Sequence, residues 1–296
     1  MTQTIIQFKE IHKTFRRQKA LSGLNMTVPE GVIYGLVGRN GAGKSTSLRM
    51  IMRLLEPDSG HLQVMGHHPY QLPLHLRQKI GYTSDSLPLI PWLKAGDLLR
   101  ENASFYPDWD PDYVNRWVKK LELNLNKRIF SLSRGDRQKL GFLMAIGHRP
   151  RLLVLDEPAG GLDPVVRQQF LETLIEFLNE TGSTIILSSH QLNELERIAD
   201  HIGLLQNGTM TLETELETLR SHVRKVVLMG PQAETVMPDM GAVLDVQKHA
   251  GYAEIVYRHW HEDMARDLVQ RFPEASLQVL PLDLESIFVH LQTQEV

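Results

Sequence analysis

The amino-acid sequence predicts an α/β fold: a mostly parallel sheet interrupted by a helical insertion and followed by a small C-terminal α+β appendix. Three observations predict it. Short apolar runs end in potential ligand-facing residues: 32–37 before Gly38, 152–155 before Asp156, and 184–187 before Ser188-Ser189-His190. Their length suits buried strands. Segments of helical period alternate with them, the order that builds a parallel sheet covered on both faces. Between two of the strands, residues of about 84–150 have a different texture and hold Trp92, Trp109 and Trp117, three of the four tryptophans.

Taken in order, Ile5–Phe8 alternates weakly and is followed by polar residues, as an exposed strand would be. The run Val32–Gly38 is a buried strand, 39–46 a glycine-rich turn, and Leu48, Met50, Ile51, Leu54 and Leu55 a helix face that Gly60 closes within Pro57-Asp58-Ser59-Gly60. In the insertion, Asp110-Pro111 is a helix start with Asp as cap and Pro at the first position. Tyr113, Trp117 and Leu121 then share one face, with Val114 and Val118 beside them. A strand over Leu152–Leu155 ends at Asp156-Glu157-Pro158, a helix covers Val165–Leu178, and a strand covers Thr184–Leu187. Ligands of such sheets gather at the carboxyl ends of the strands, where Gly38, Asp156 and His190 fall. After about Arg224 come short strands at Val226–Met229, Val243–Val246, Glu254–Tyr257 and Leu277–Leu280, with a helix at Glu262–Phe272. The division expected is therefore 1–223 and 224–296.

Composition narrows the function. Lys and Arg total 32 against 35 Asp and Glu, a net charge of −3, which speaks against nucleic acid as partner. With 42% hydrophobic and 23% charged residues, a folded globule rather than a disordered chain is expected. Absence of cysteine removes disulfides, thiolate metal sites and cysteine nucleophiles. No signal peptide is expected at the start, and no run of roughly 18 apolar residues could cross a bilayer. His67-His68 with His75, and His259-Trp260-His261-Glu262-Asp263, lack metal-ligand spacing and read as solvated loops.

The chemistry sits at three strand ends. Gly38-x-x-x-x-Gly43-Lys44-Ser45 matches the phosphate-binding loop, with the strand before it and helix after it that the pattern requires. Residues Gly38, Arg39, Asn40, Gly41, Ala42, Gly43, Lys44, Ser45 and Thr46 would wrap the phosphates with backbone N–H groups at a helix N-terminus. Lys44 supplies charge to the outer phosphates, and the Ser45 hydroxyl can ligate Mg²⁺. Asp156 suits the second magnesium contact, and Glu157 beside it can polarise the attacking water. His190 lies where a terminal phosphate would be and serves as its hydrogen-bonding sensor.

Leu132-Ser133-Arg134-Gly135-Asp136-Arg137-Gln138-Lys139-Leu140 resembles the signature of ABC-type ATPases, and Gly161-Leu162-Asp163-Pro164 resembles their D-loop. His190 falls where their switch histidine would, and the likeness runs from Ile5 to about Leu219. It implies a P-loop NTPase fold with an N-terminal antiparallel β part, and ATP with Mg²⁺ as ligands. It also implies a head-to-tail homodimer in which Ser133 and Gly135 of one copy complete the site of the other, with Asp163 linking the two sites. Phe15 lies where the family stacks adenine. By this resemblance the chain is the ATPase subunit beneath separately encoded transmembrane permease subunits, peripheral on the cytoplasmic face of the cell membrane. The segment Leu282–Phe288 resembles the ending of drug- and antibiotic-exporter ATPases, which favours export.

Two departures from the family pattern stand out. Arg134-Gly135-Asp136 replaces the usual Gly-Gly-Gln of the signature, and Asp85 stands where the Q-loop glutamine is expected. Glutamine donates and accepts, whereas an ionised aspartate only accepts. Metal contact at Asp85 remains open to it, hydrolysis slower than in glutamine-bearing relatives is expected, and Asp85→Gln is expected to speed it. The rival reading is a soluble or regulatory ATPase of slow turnover, not coupled to transport. Soluble translation members carry two cassettes and repair members long coiled coils, and neither occurs here.

Overall fold

The computed structural model describes residues 3–231, 233–238 and 242–293, and the chain divides into two compact units, Met1–Glu213 and Thr214–Val296. The change of sequence texture at about Arg224 thus falls inside the second unit.

The first unit opens with the long strands β1 (Thr4–Phe15) and β2 (Gln18–Pro29), followed by β3 (Ile33–Val37), α1 (Lys44–Ile51) and β4 (Ser59–Val64). Strands β2, β1 and β4 form a three-stranded antiparallel sheet in that order. Two expectations fail here. Ile5, Ile6 and Phe8 are buried, because β1 is the central strand of its sheet and shares one apolar core with Leu36, Leu48, Val154 and Ile186. Helix α1 stops at Ile51, leaving Leu54 exposed, and Gly60 does not close it. Gly60 lies in β4, where a Cβ would fall 2.2 Å from the carbonyl oxygen of Glu10, so its place is set by strand pairing.

A short helix α2 (Leu74–Arg77) leads to β5 (Ile80–Ser84). The inserted helices α3 (Ala95–Ala103), α4 (Pro111–Lys120) and α5 (Arg134–Ile146) precede β6 (Leu152–Asp156), which is hydrogen-bonded directly to β5. The Asp110 carboxylate accepts from the Tyr113 N–H at 2.9 Å, as the cap predicts. Tyr113, Trp117 and Leu121 are all buried. They start an aromatic ladder in which Trp117 meets Phe142 edge-on at 5.9 Å, and Phe142 meets Phe170 at 5.6 Å. This ladder ties the insertion to α6 (Pro164–Thr181).

Strands β7 (Thr184–Ser189), β8 (His201–Gln206) and β9 (Thr209–Glu215) complete a six-stranded sheet ordered β5-β6-β7-β3-β8-β9, with the four-residue helix α7 (Leu192–Leu195) between β7 and β8. The pairs β5/β6, β6/β7, β7/β3 and β3/β8 are parallel. Register gathers the site: Ser84 is level with Asp156, Asp156 with Ser188, and Val37 with Ser189. The residues that follow these strand ends therefore lie along one edge.

The second unit begins with α8 (Leu216–His222) and holds β10 (Arg224–Met229), β11 (Val243–His249), β12 (Tyr252–Tyr257), α9 (Glu262–Arg271), β13 (Ser276–Pro281) and α10 (Leu284–Thr293). Its antiparallel sheet, ordered β11-β12-β10-β13, buries Val226, Leu228 and Ile255 with Trp260 and Leu268. All four strands predicted after Arg224 lie in it.

Candidate functional site

The phosphate loop leaves β3 at Gly38 and enters α1 at Lys44. A Cβ on Gly38 would sit 2.4 Å from the Leu205 carbonyl oxygen, so the loop can follow this path only without a side chain there. Gly43 has φ +111° and leaves no room for a Cβ against Leu21 and the Ala20 carbonyl. This left-handed turn carries the chain from the loop into the head of α1, and within the loop the Ala42 N–H donates to the Arg39 carbonyl at 3.1 Å. Among the other loop positions Ala42 is buried, while Arg39, Asn40 and Gly41 are exposed. Lys44 is 5% exposed, and its ammonium donates to the Gly38 carbonyl at 2.6 Å and lies 3.2 Å from Glu157 Oε1.

Beside it, the Ser45 hydroxyl donates to Asp156 Oδ1 at 2.9 Å, and Ser188 donates to the same oxygen at 2.8 Å. The Ser188 hydroxyl also accepts from the Glu157 N–H at 2.9 Å. One serine on β7 therefore orients both acids at the end of β6. Its sequence signal was only its place at the end of the apolar run 184–187, and sequence reasoning assigned it no role. Glu157 adopts φ +51°, a left-handed conformation uncommon for a non-glycine residue. Its Oε2 lies 2.8 Å from His190 Nδ1. The structure thus brings Lys44, Ser45, Asp156, Glu157 and His190 together.

Asp85, expected near a metal, has its N–H on the Asp156 carbonyl at 3.1 Å. Its carboxylate, however, accepts from Arg134 and from Gln138 Nε2. Neither partner was assigned a role from the sequence. Ser133 caps α5, its hydroxyl accepting from the Asp136 N–H at 3.0 Å, and Gly135 stands in the first turn against Leu162 and Val166. Asp163 caps α6 through the N–H groups of Val165 and Val166. Phe15 is half-exposed at the end of β1, with the Lys13 ammonium 5.7 Å from its ring centre.

A further ion pair braces the loop after β7. Arg167 lies 3.2 Å from Glu194, donates to the Leu162 carbonyl at 3.0 Å and to Gln191 at 2.6 Å. Glu194 accepts in turn from Ser189 at 2.7 Å. The residues on both sides of His190 are thereby fastened to the head of α6. Among the described residues no helix is long and apolar enough to cross a membrane.

An acid pair at the end of β6 and a lysine-bearing anion loop after β3, parallel strands with β7 between them, form a device for binding and cleaving a nucleoside triphosphate. Comparison with known proteins agrees. The family model described as ABC transporter matches residues 21–160. A bacitracin transport ATP-binding protein of Bacillus licheniformis is 30% identical over 97% of both chains. A glycine betaine uptake system ATP-binding protein of Escherichia coli is 35% identical over 69% of this chain and 68% of its own. A solved ATP-binding subunit of an ABC transporter superposes with a TM-score of 0.66 at 28% identity, over 74% of this chain and 92% of its own. The chain belongs to the ABC transporter family as one of its ATP-binding, ATP-hydrolysing subunits.

Proposed function

We propose that the chain powers an exporter, working as a homodimer beneath separately encoded membrane subunits at the cytoplasmic face of the cell membrane. The reading of export rests on the resemblance of Leu282–Phe288 to the ending of exporter ATPases, and the likeness to the bacitracin transport protein, over 97% of both chains, extends through the C-terminal unit. The uptake-system relative covers 69% of this chain.

The observation that carries the mechanism is the contact of Glu157 with both Lys44 and His190. ATP enters with its outer phosphates against Lys44 and the loop amides from Gly38 to Thr46, the positive end of α1 facing the anion. The hard oxygen donors of Ser45 and Asp156, side by side and steadied by Ser188, fit Mg²⁺, which when bound neutralises charge on the phosphate oxygens. Glu157 orients and deprotonates the attacking water, while His190 holds the Glu157 carboxylate and faces the terminal phosphate. Water attacks the γ-phosphorus as the bond to ADP breaks. Ser133 and Gly135 of a second copy complete the site, Asp163 links the two sites, and Phe15 stacks the adenine.

Glu157→Gln tests this reading. It removes the base while keeping size, so the variant in Mg-ATP should hydrolyse nothing and accumulate as a dimer by light scattering. A variant that stays strictly monomeric at saturating Mg-ATP, alone and on its membrane complex, would sink the dimer mechanism.

A further inference from the structure

We propose that Asp85 and Arg134 form a positioning couple that joins the catalytic sheet edge to the head of α5 by charge, where a neutral amide would otherwise serve. This inference rests on the reading above, in which α5 and Glu157 serve ATP hydrolysis.

Three segments meet at the couple. Asp85 directly follows β5, and its N–H is bound to the carbonyl of Asp156, so its backbone belongs to the acid edge. Its carboxylate accepts from both the Nε and a terminal nitrogen of Arg134, at 3.2 and 2.7 Å. This is a two-point grip, which a guanidinium provides and an ammonium does not. One turn along α5, Gln138 donates to the same carboxylate at 3.2 Å and to the Gly160 carbonyl at 3.1 Å. The guanidinium also lies over Gly161, where a Cβ would fall 1.9 Å from a terminal nitrogen. The loop after Glu157 is therefore packed against the same group.

Two residues of the departures from the family pattern, Asp85 and Arg134, are halves of one contact. Their side chains are 35% and 48% exposed, so the pair adds little to folding stability. What it sets is orientation. A helix head carrying Ser133 and Gly135 is held at a defined angle to Asp156, and the bond is directional in two dimensions. Sequence reasoning alone expects Asp85→Gln to hydrolyse faster. The couple reverses that sign, because glutamine in this place leaves Arg134 without its carboxylate.

The test is steady-state turnover of the full chain in Mg-ATP for Asp85→Gln, Arg134→Gly and the double variant. Each single change should lower kcat by about tenfold with KM within about twofold. The double variant should recover most of that loss instead of showing the product of the two effects. Arg134→Lys, which keeps the charge and loses the fork, should fall between wild type and Arg134→Gly. Urea unfolding midpoints should not move, since a half-exposed pair contributes little to folding. Asp85→Gln turning over as fast as wild type, single effects that multiply, or midpoints that drop in step with turnover would each overturn the proposal. Failure of the underlying reading shows separately, as wild-type turnover that survives Glu157→Gln.

Discussion

His148 offers a quantitative test of how the helical insertion is seated. The residue is 1% exposed, and its ring stacks on Tyr106 at 3.9 Å between centres and 8° between planes. Burial pushes its imidazole down from 6.5 to about 4. The Ile80 backbone and Asp108 pull it partly back, and Lys79 pushes it further down. In the folded chain the ring therefore stays neutral, while in the unfolded chain it takes up a proton near its ordinary value. Between those two values the unfolded state binds more protons, so stability is full above about pH 6.5 and is lost as pH falls toward 4. The whole displacement is worth about 3 kcal/mol at 1.36 kcal/mol per unit. The part realised between pH 7.5 and pH 5 is about 2 kcal/mol. The perturbation is His148→Phe, which keeps a flat ring against Tyr106 and removes the titration. Urea unfolding followed by tryptophan fluorescence at the two pH values reads the difference. Wild type should lose about 2 kcal/mol more than the variant on acidification. Equal losses in the two proteins would refute the claim that His148 is held neutral by its surroundings.

Other consequences follow from single contacts. Ser188→Ala removes the hydroxyl that steadies both Asp156 and the Glu157 N–H. It should lower kcat about tenfold or more and raise the Mg²⁺ concentration needed for half-maximal turnover, since one buried hydrogen bond to a charged group is worth about 1.5–3 kcal/mol. Gly38→Ala forces a methyl group onto the Leu205 carbonyl and should cost about 1–3 kcal/mol together with ATP binding, read by urea unfolding and equilibrium titration. Asp110→Ala deletes the cap of α4 and should cost about 1 kcal/mol in urea unfolding while leaving KM for ATP unmoved.

Much of the site was legible because its chemistry is local in the chain. A phosphate loop needs its glycines, lysine and serine within one turn, so the pattern from Gly38 to Thr46 carries its own geometry. The acid pair Asp156-Glu157 and His190 were legible because each ends a short apolar run, and parallel strands deliver their ends to one edge. The cap at Asp110 and the stripe Tyr113, Trp117, Leu121 follow from helical period and turn chemistry over a few residues.

What lay outside the sequence's reach depends on pairing between distant segments. Ile5, Ile6 and Phe8 read as an exposed strand because nothing nearby reveals that β1 is flanked by β2 and β4 over a shared core. Gly60 read as a helix stop because its true constraint, the Glu10 carbonyl, is 50 residues away along the chain. The same holds for the Ser188 bridge and for the fork between Asp85 and Arg134, separated by 31 or 32 and 49 positions from their partners. Sequence alone singled out the side chains that gather at the strand ends, since that depends on side-chain type and close spacing. Tertiary structure decided how those groups are held, because strand register and helix docking bring residues within hydrogen-bond range that no local pattern relates.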